Sequence, residues 1–136
     1  MVLPTGCPDD TTKFNGACFK AYHPIVSYHQ ARQFCAAKSG LLAMPKDKNT
    51  NDFLVYLKNE ADPWHYFWFG LSDENREGLW MWEDGQVLNQ DTNWSDWREG
   101  EPNSHGGDED CAQYSSQAKT GWNDQRCSSK EAKFIC

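Results

Sequence analysis

The sequence predicts an α+β fold: two helices, short antiparallel sheets and one long irregular loop, stapled by three disulfides in a single domain over residues 1–136. Three observations predict it. Six cysteines (Cys7, Cys18, Cys35, Cys111, Cys127, Cys136) are spread along the chain with no CxxC pair, which reads as a disulfide framework rather than a zinc or redox motif. Two segments with helical spacing precede a series of short aromatic runs with strand character. Between roughly residues 85 and 110 neither period is present, and a loop longer than about 12–15 residues in a compact domain is either disordered or functional.

The elements follow in order. Asn15-Gly16 between short apolar runs is a hairpin signal, predicting a first hairpin over Lys13–Phe19. Ser27-Tyr28-His29-Gln30 fits a capping box, and Ala31, Phe34 and Cys35 continue a helix until Ser39-Gly40. A second helix of about ten residues is expected from near Asn49, with Phe53, Leu54 and Leu57 inward, ending before Asp62-Pro63 because a residue preceding proline avoids the helical region. Trp64–Leu71 reads as a buried strand and Leu79–Trp82 as its successor, closed by Asp84-Gly85. Short strands return at Cys111–Tyr114, around Trp122 and at Lys133–Cys136.

Composition narrows the function. With 136 residues the chain can bury about two-thirds of its unfolded surface in one core. A net charge of −7 argues against nucleic acid, whose phosphates need a basic face. No apolar run approaches the roughly 18–20 residues that span a bilayer. The first residues, MVLPTGCPDD, lack the basic start and apolar run of a signal peptide, which leaves either a cytosolic chain or one whose signal has been removed. The cysteines favour the second, an extracellular, secreted protein or the ectodomain of a membrane protein. Asn93-Trp94-Ser95 is a glycosylation sequon, meaningful only in a secreted chain and equally able to occur by chance.

The acids are concentrated. Residues 91–110 carry Asp91, Asp96, Glu99, Glu101, Asp108, Glu109 and Asp110 against one base, Arg98. Trp94 and Trp97 interleave with them and read as core residues anchoring the loop. A bound cation would order such a segment and relieve its repulsion. No HExxH, GxSxG, P-loop or dinucleotide motif is present, and His23, His29, His65 and His105 are too scattered for a zinc site. Asp73–Gly78 imitates the start of an EF-hand loop, with Asp84 at the twelfth position, but its flanks FWFGL and LWMW are strands rather than helices. Asp73 and Glu77 remain as oxygen ligands beside a strand turn.

Glu101, Asn103, Glu109, Asn123 and Asp124 offer only oxygen ligands, mixing carboxylates with amides, which suits calcium. An asparagine that gives its carbonyl to the ion keeps an NH2 to donate, and an ion-bound carboxylate can still accept. Such Glu/Asn pairs complement two neighbouring sugar hydroxyls, each binding the ion, accepting from an amide and donating to a carboxylate. The arrangement serves recognition rather than turnover, because carboxylates committed to a cation are poor general acids. Protonation would release the ion, with affinity expected to fall below about pH 5–6.

These motifs together resemble the C-type lectin-like domains of the calcium-dependent, mannose-type group. FWFGL is similar to the family's WIGL strand, Glu101-Pro102-Asn103 to its specificity tripeptide, Glu109-Asp110-Cys111 to the joint before a cysteine, and Trp122-Asn123-Asp124 to its WND motif. Among the fifteen pairings that six cysteines allow, the resemblance implies Cys7–Cys18, Cys35–Cys136 and Cys111–Cys127, the long form with an extra N-terminal hairpin. Closing the loop of about 100 residues between Cys35 and Cys136 contributes on the order of 4–5 kcal/mol in the chain-entropy model.

The resemblance further implies a principal calcium held by Glu101, Asn103, Glu109, Asn123 and Asp124, with a cis Glu101–Pro102 bond. The order of EPN implies selection of mannose, fucose, glucose and N-acetylglucosamine, and the galactose-type QPD is absent. An auxiliary calcium would use Asp73, Glu77, Ser104, Glu109 and Asp110, with Ser104 standing where a carboxylate or amide is more usual. One ion is thus expected, with places for a second or third. Glu101, Asn103, Glu109 and Asn123 would also contact sugar, and His105 sits where the family sometimes packs a side chain against it. Asp108 has no assigned role. The implied partners are mannose-type glycans on microbial or cell surfaces. Two other functions are weighed: a protein- or surface-binding module in which calcium is only structural, and a glycosidase using Glu99 and Glu101. No heptad or collagenous stretch in these residues would cluster the domain.

Overall fold

A computed structural model describes residues 7–8, 10–103, 109–117 and 120–136. It opens on a hairpin of β1 (Thr12–Phe14) and β2 (Ala17–Phe19), turned by Asn15 and Gly16 at φ 51° and 85°. Both central residues lie in the left-handed region, as a type I′ turn demands. Cys7–Cys18 ties this hairpin, Cys35–Cys136 joins the first helix to the residue after the last strand, and Cys111–Cys127 bridges a separation of 16 residues, the pairing expected above.

β3 (Ala21–Val26) leads into α1 (Tyr28–Ala37), whose start is the expected capping box. Ser27 Oγ accepts from Gln30 N at 3.2 Å, and Gln30 Oε1 accepts from Ser27 N at 3.0 Å. α2 (Lys48–Ala61) is capped by Asp47, whose carboxylate accepts from Thr50 N at 2.7 Å. It runs for 14 residues, longer than the sequence pattern suggested, because this cap lies upstream of the first apolar residue. Its inner face carries the expected Phe53, Leu54 and Leu57 against the core, with polar residues added. Thr50, Asn51, Leu54 and Lys58 are buried, while Phe53 and Leu57 are half-buried, Phe53 stacking on Phe14 of the hairpin at 4.6 Å.

The main sheet has the order β3-β8-β4-β6-β7, with β5 (Met81–Trp82) also on β4 (Tyr66–Ser72). β6 is Cys111–Tyr114, β7 Trp122–Gln125 and β8 Ala132–Ile135. Most pairings are antiparallel, but β4 runs parallel to β8. β4 begins at Tyr66 rather than Trp64, which is 70% exposed. Gly70 sits where a neighbouring segment presses on β4: a Cβ there would meet the Leu42 carbonyl oxygen at 2.7 Å. One core cluster gathers Phe67, Phe69, Leu71, Trp80, Trp82, Tyr114 and Trp122, and the other sits under α1 around Tyr28, Trp68 and Phe134. No helix among the described residues is long and apolar enough to cross a membrane.

Lys58 is an anomaly of this core. It is only 3% exposed, its ammonium donates to the neutral Asn59 Oδ1 at 2.9 Å, and burial lowers its pKa to about 8. The unfolded chain therefore holds a proton that the folded chain releases between about pH 8 and pH 10.5, so wild-type stability rises with pH through that window. Lys58→Met keeps the stem and removes the buried charge. The variant is expected to melt higher at pH 7, by about 1–2 kcal/mol, with the gain shrinking towards pH 10; thermal unfolding across pH checks this.

Candidate functional site

The site grows from β7. Its residues alternate, with Trp122 and Asp124 buried and Asn123 and Gln125 half-buried. The long loop docks on this strand through backbone bonds: Trp122 N donates to Asp96 O at 2.8 Å and Arg98 N donates to Trp122 O at 2.8 Å. Trp94 and Trp97 pack their rings on Trp122 at 5.8 and 5.5 Å, confirming them as anchors. Gly121 makes the close approach possible, because at φ 92° its missing Cβ would lie 3.0 Å from Arg98 Cα.

That docking delivers Glu101, Pro102 and Asn103 to the end of β7. The Glu101–Pro102 peptide is cis, as the resemblance implied. Asn103 N donates to Asp124 Oδ1 at 3.1 Å, and Asn123 Nδ2 donates to the Asp124 backbone carbonyl at 3.1 Å. Glu101 is pushed up to about 7, first by burial and then by the adjacent Asp124 carboxylate, with Arg98 opposing at 3.3 Å from Oε2. Glu101 Oε1 is buried with no hydrogen-bond donor among the described residues. Two carboxylates held together around an unsatisfied oxygen are what a hard, oxygen-seeking cation would relieve.

A second convergence lies near the start of β6. Asp73, Glu77 and Asp110 each place a carboxylate oxygen within 4.8 Å of the others. Asp73 N donates to the Asp110 carbonyl at 2.9 Å, and Gly78 N donates to Asp73 Oδ2 at 2.8 Å. Burial raises Asp73 to about 7, with Asp110 and Glu77 adding to it, and Asp110 is also raised, chiefly by burial. Asp73 Oδ1 and Asp110 Oδ1 are buried without a hydrogen-bond partner among the described residues. This oxygen-only donor set again fits a divalent cation such as calcium. Glu74 turns away from it to α1, where Arg32 Nη2 donates to Glu74 Oε1 at 3.0 Å and to Glu83 Oε2 at 2.9 Å.

Glu109 is half-buried immediately before Asp110. Ser104, His105 and Asp108 lie outside the described residues. The sequence reading passed over Ser115, a 2% exposed residue whose hydroxyl donates to Asn123 Oδ1 at 3.1 Å and accepts from Arg98 Nη1 at 3.0 Å. Arg98 was noticed only as the lone base of its segment, and that solitude was the available signal. Asn51 was missed altogether. It lies 2% exposed on α2, accepts from Trp122 Nε1 at 3.0 Å and Tyr114 OH at 2.7 Å, and donates to Asp96 at 3.1 Å.

The family model for the lectin C-type domain matches residues 25–136. The chain is 36% identical over 121 residues to the C-type lectin domain family 4 member M of Nomascus concolor, an alignment covering 89% of this chain and 29% of that protein. It is 35% identical over 131 residues to the CD209 antigen of the same species, covering 96% of this chain and 30% of the relative. It therefore spans less than a third of the length of these relatives. The cow CD23 carbohydrate-recognition domain, solved in the presence of a GlcNAc2Man3 oligosaccharide, superposes with a TM-score of 0.82 at 31% identity, covering 96% of this chain and 93% of that one. With its two helices, its sheet and its three disulfides, the chain belongs to the C-type lectin domain family, a family of carbohydrate-binding rather than enzymatic domains.

Proposed function

We propose that this domain binds mannose-type glycans in a calcium-dependent manner through Glu101, Asn103, Glu109, Asn123 and Asp124. The observation that carries the reading is the buried Glu101 carboxylate, held beside Asp124 with one oxygen unsatisfied and next to Asn103 and Asn123. When bound, calcium supplies a charge that neutralises these carboxylates and a coordination position for sugar hydroxyls. Glu101 and Glu109 would accept hydrogen bonds from the hydroxyls, while the amides of Asn103 and Asn123 would donate to the hydroxyl oxygens. The Glu-then-Asn order favours mannose, fucose, glucose and N-acetylglucosamine. The ligand named for the cow CD23 domain contains mannose and N-acetylglucosamine, which agrees with this choice.

An auxiliary calcium is proposed at Asp73, Glu77, Glu109 and Asp110, the first, second and fourth of which already converge. Three disulfides support an extracellular setting, with microbial or cell-surface glycoconjugates as partners. A site contacting two hydroxyls binds weakly, and a Kd near 1 mM is only about 4 kcal/mol. Useful avidity then calls for clustered copies.

Retention on mannose-agarose, eluted by chelator or free mannose, is the expected outcome; retention in excess EDTA would overturn the reading, and retention indifferent to mannose would favour a protein-binding module. Glu101→Gln combined with Asn103→Asp is expected to shift preference from mannose towards galactose on a glycan array. The pH dependence follows from Glu101 and Asp73, both near 7 in the ion-free fold against about 4 unfolded. Between those values the folded chain binds more protons, so ion-free stability falls as pH rises from about 4 to about 7. Calcium must displace these protons, so its affinity falls from pH 7 downward, earlier than the pH 5–6 suggested by ordinary carboxylates. Melting in chelator and in calcium between pH 4.5 and 7.5 should show opposite trends.

A further inference from the structure

We propose that Arg98 is the positioning residue of the principal site, one guanidinium that sets the loop carboxylate Glu101 and, through Ser115, the strand amide Asn123 in a common register. The inference rests on the calcium-dependent reading above and adds a part to it. Arg98 Nη2 donates to Glu101 Oε2 at 3.3 Å and Nη1 donates to Ser115 Oγ at 3.0 Å. Because a guanidinium only donates, the serine oxygen accepts from it, and the serine hydroxyl gives its own proton to Asn123 Oδ1 at 3.1 Å. That bond settles which end of the Asn123 amide faces Ser115, while its Nδ2 donates to the Asp124 carbonyl.

The consequence for Glu101 is selective. Its Oε2 is engaged by Arg98, and its Oε1 is left buried without a donor among the described residues, so one oxygen is held and the other presented. Arg98 can act as a strut because its own backbone is fixed: its N–H is bonded to the Trp122 carbonyl at 2.8 Å, and Gly121 packs against its Cα. Ser115, at 2% exposure, is enclosed by its surroundings. The two proposed ligands come from different elements, the loop and β7, and this relay is a side-chain link between them. A lysine is a poor replacement, since its ammonium places its donors on one nitrogen, whereas the planar fork carries two separate nitrogens, one aimed at Glu101 and the other at Ser115.

Calcium titration by calorimetry, with the Asn123 side-chain amide resonances followed by NMR, tests the strut. Groups that orient metal ligands are typically worth 10–100-fold in affinity, so Arg98→Ala is expected to weaken calcium binding at least about tenfold and to shift the Asn123 resonances in the ion-free protein. Arg98→Lys should behave like alanine. Ser115→Ala should give a smaller loss, and adding it to Arg98→Ala should cost little more, because the two act in series. A cooperative melt in chelator certifies the fold of each variant, and should Arg98→Ala not fold, Arg98→Lys and Ser115→Ala carry the test. Unchanged or tighter calcium binding without Arg98, full recovery by lysine, or additive losses would each overturn the proposal. Absence of calcium binding by the wild type would instead sink the reading on which it rests.

Discussion

Trp122 is the point at which core and site become one structure. Its indole is fully buried, with the rings of Phe69, Trp82, Trp94 and Trp97 around it at 5.0 to 5.9 Å and its N–H on Asn51 Oδ1. Burying a tryptophan removes about 150–250 Å² from water, which at about 25 cal/mol per Å² is on the order of 4–6 kcal/mol as an upper bound. The same residue's N–H and carbonyl hold the loop at Asp96 and Arg98. Apolar burial thereby fixes the backbone from which Glu101 and Asn103 project, and the next two residues along β7 are Asn123 and Asp124 themselves.

Against that anchorage works electrostatic repulsion. Glu101 and Asp73 are carboxylates drawn out of water and close to like charges, Asp124 beside the first and Asp110 with the exposed Glu77 beside the second. Such groups resist ionisation and lower the stability of the ion-free fold at neutral pH. The burden is carried by contacts made elsewhere: three disulfides, the tryptophan cluster, and the Arg32–Glu74–Glu83 network that pins the Asp73 turn to α1. Stability is surrendered where ligand-binding oxygens are needed and secured in the surrounding scaffold.

Local chemistry was legible in the sequence wherever a few adjacent residues determine the outcome. Asn15-Gly16 turned the hairpin, Ser27 and Gln30 capped α1, and the EPN and WND tripeptides came to adjoin each other, Asn103 N bonding Asp124. The reading failed where distant partners intervene. Apolar spacing placed Phe53, Leu54 and Leu57 on the inner face of α2, where they pack on the core, but it gave no sign that polar Asn51 and Lys58 are buried beside them, Asn51 because Tyr114 and Trp122 each present it with a donor. Trp64 looked like strand core and is exposed, since aromatic content does not locate the solvent boundary.

The sequence by itself determined the class of fold and the oxygen-only character of the donors, because these follow from residue type and short-range spacing, and its family likeness implied the disulfide pairing. Only the tertiary structure decided which carboxylates meet. Asp73 reaches Asp110 across a sheet whose strands are distant in the chain, and Asp124 reaches Glu101 because the loop docks on β7. Burial, and with it the upward push on Asp73, Asp110 and Glu101, exists only once the strands are assembled. Arg98 shows the difference most plainly: in the chain it is a single base among acids, and in the fold its two donor groups span the two halves of the site.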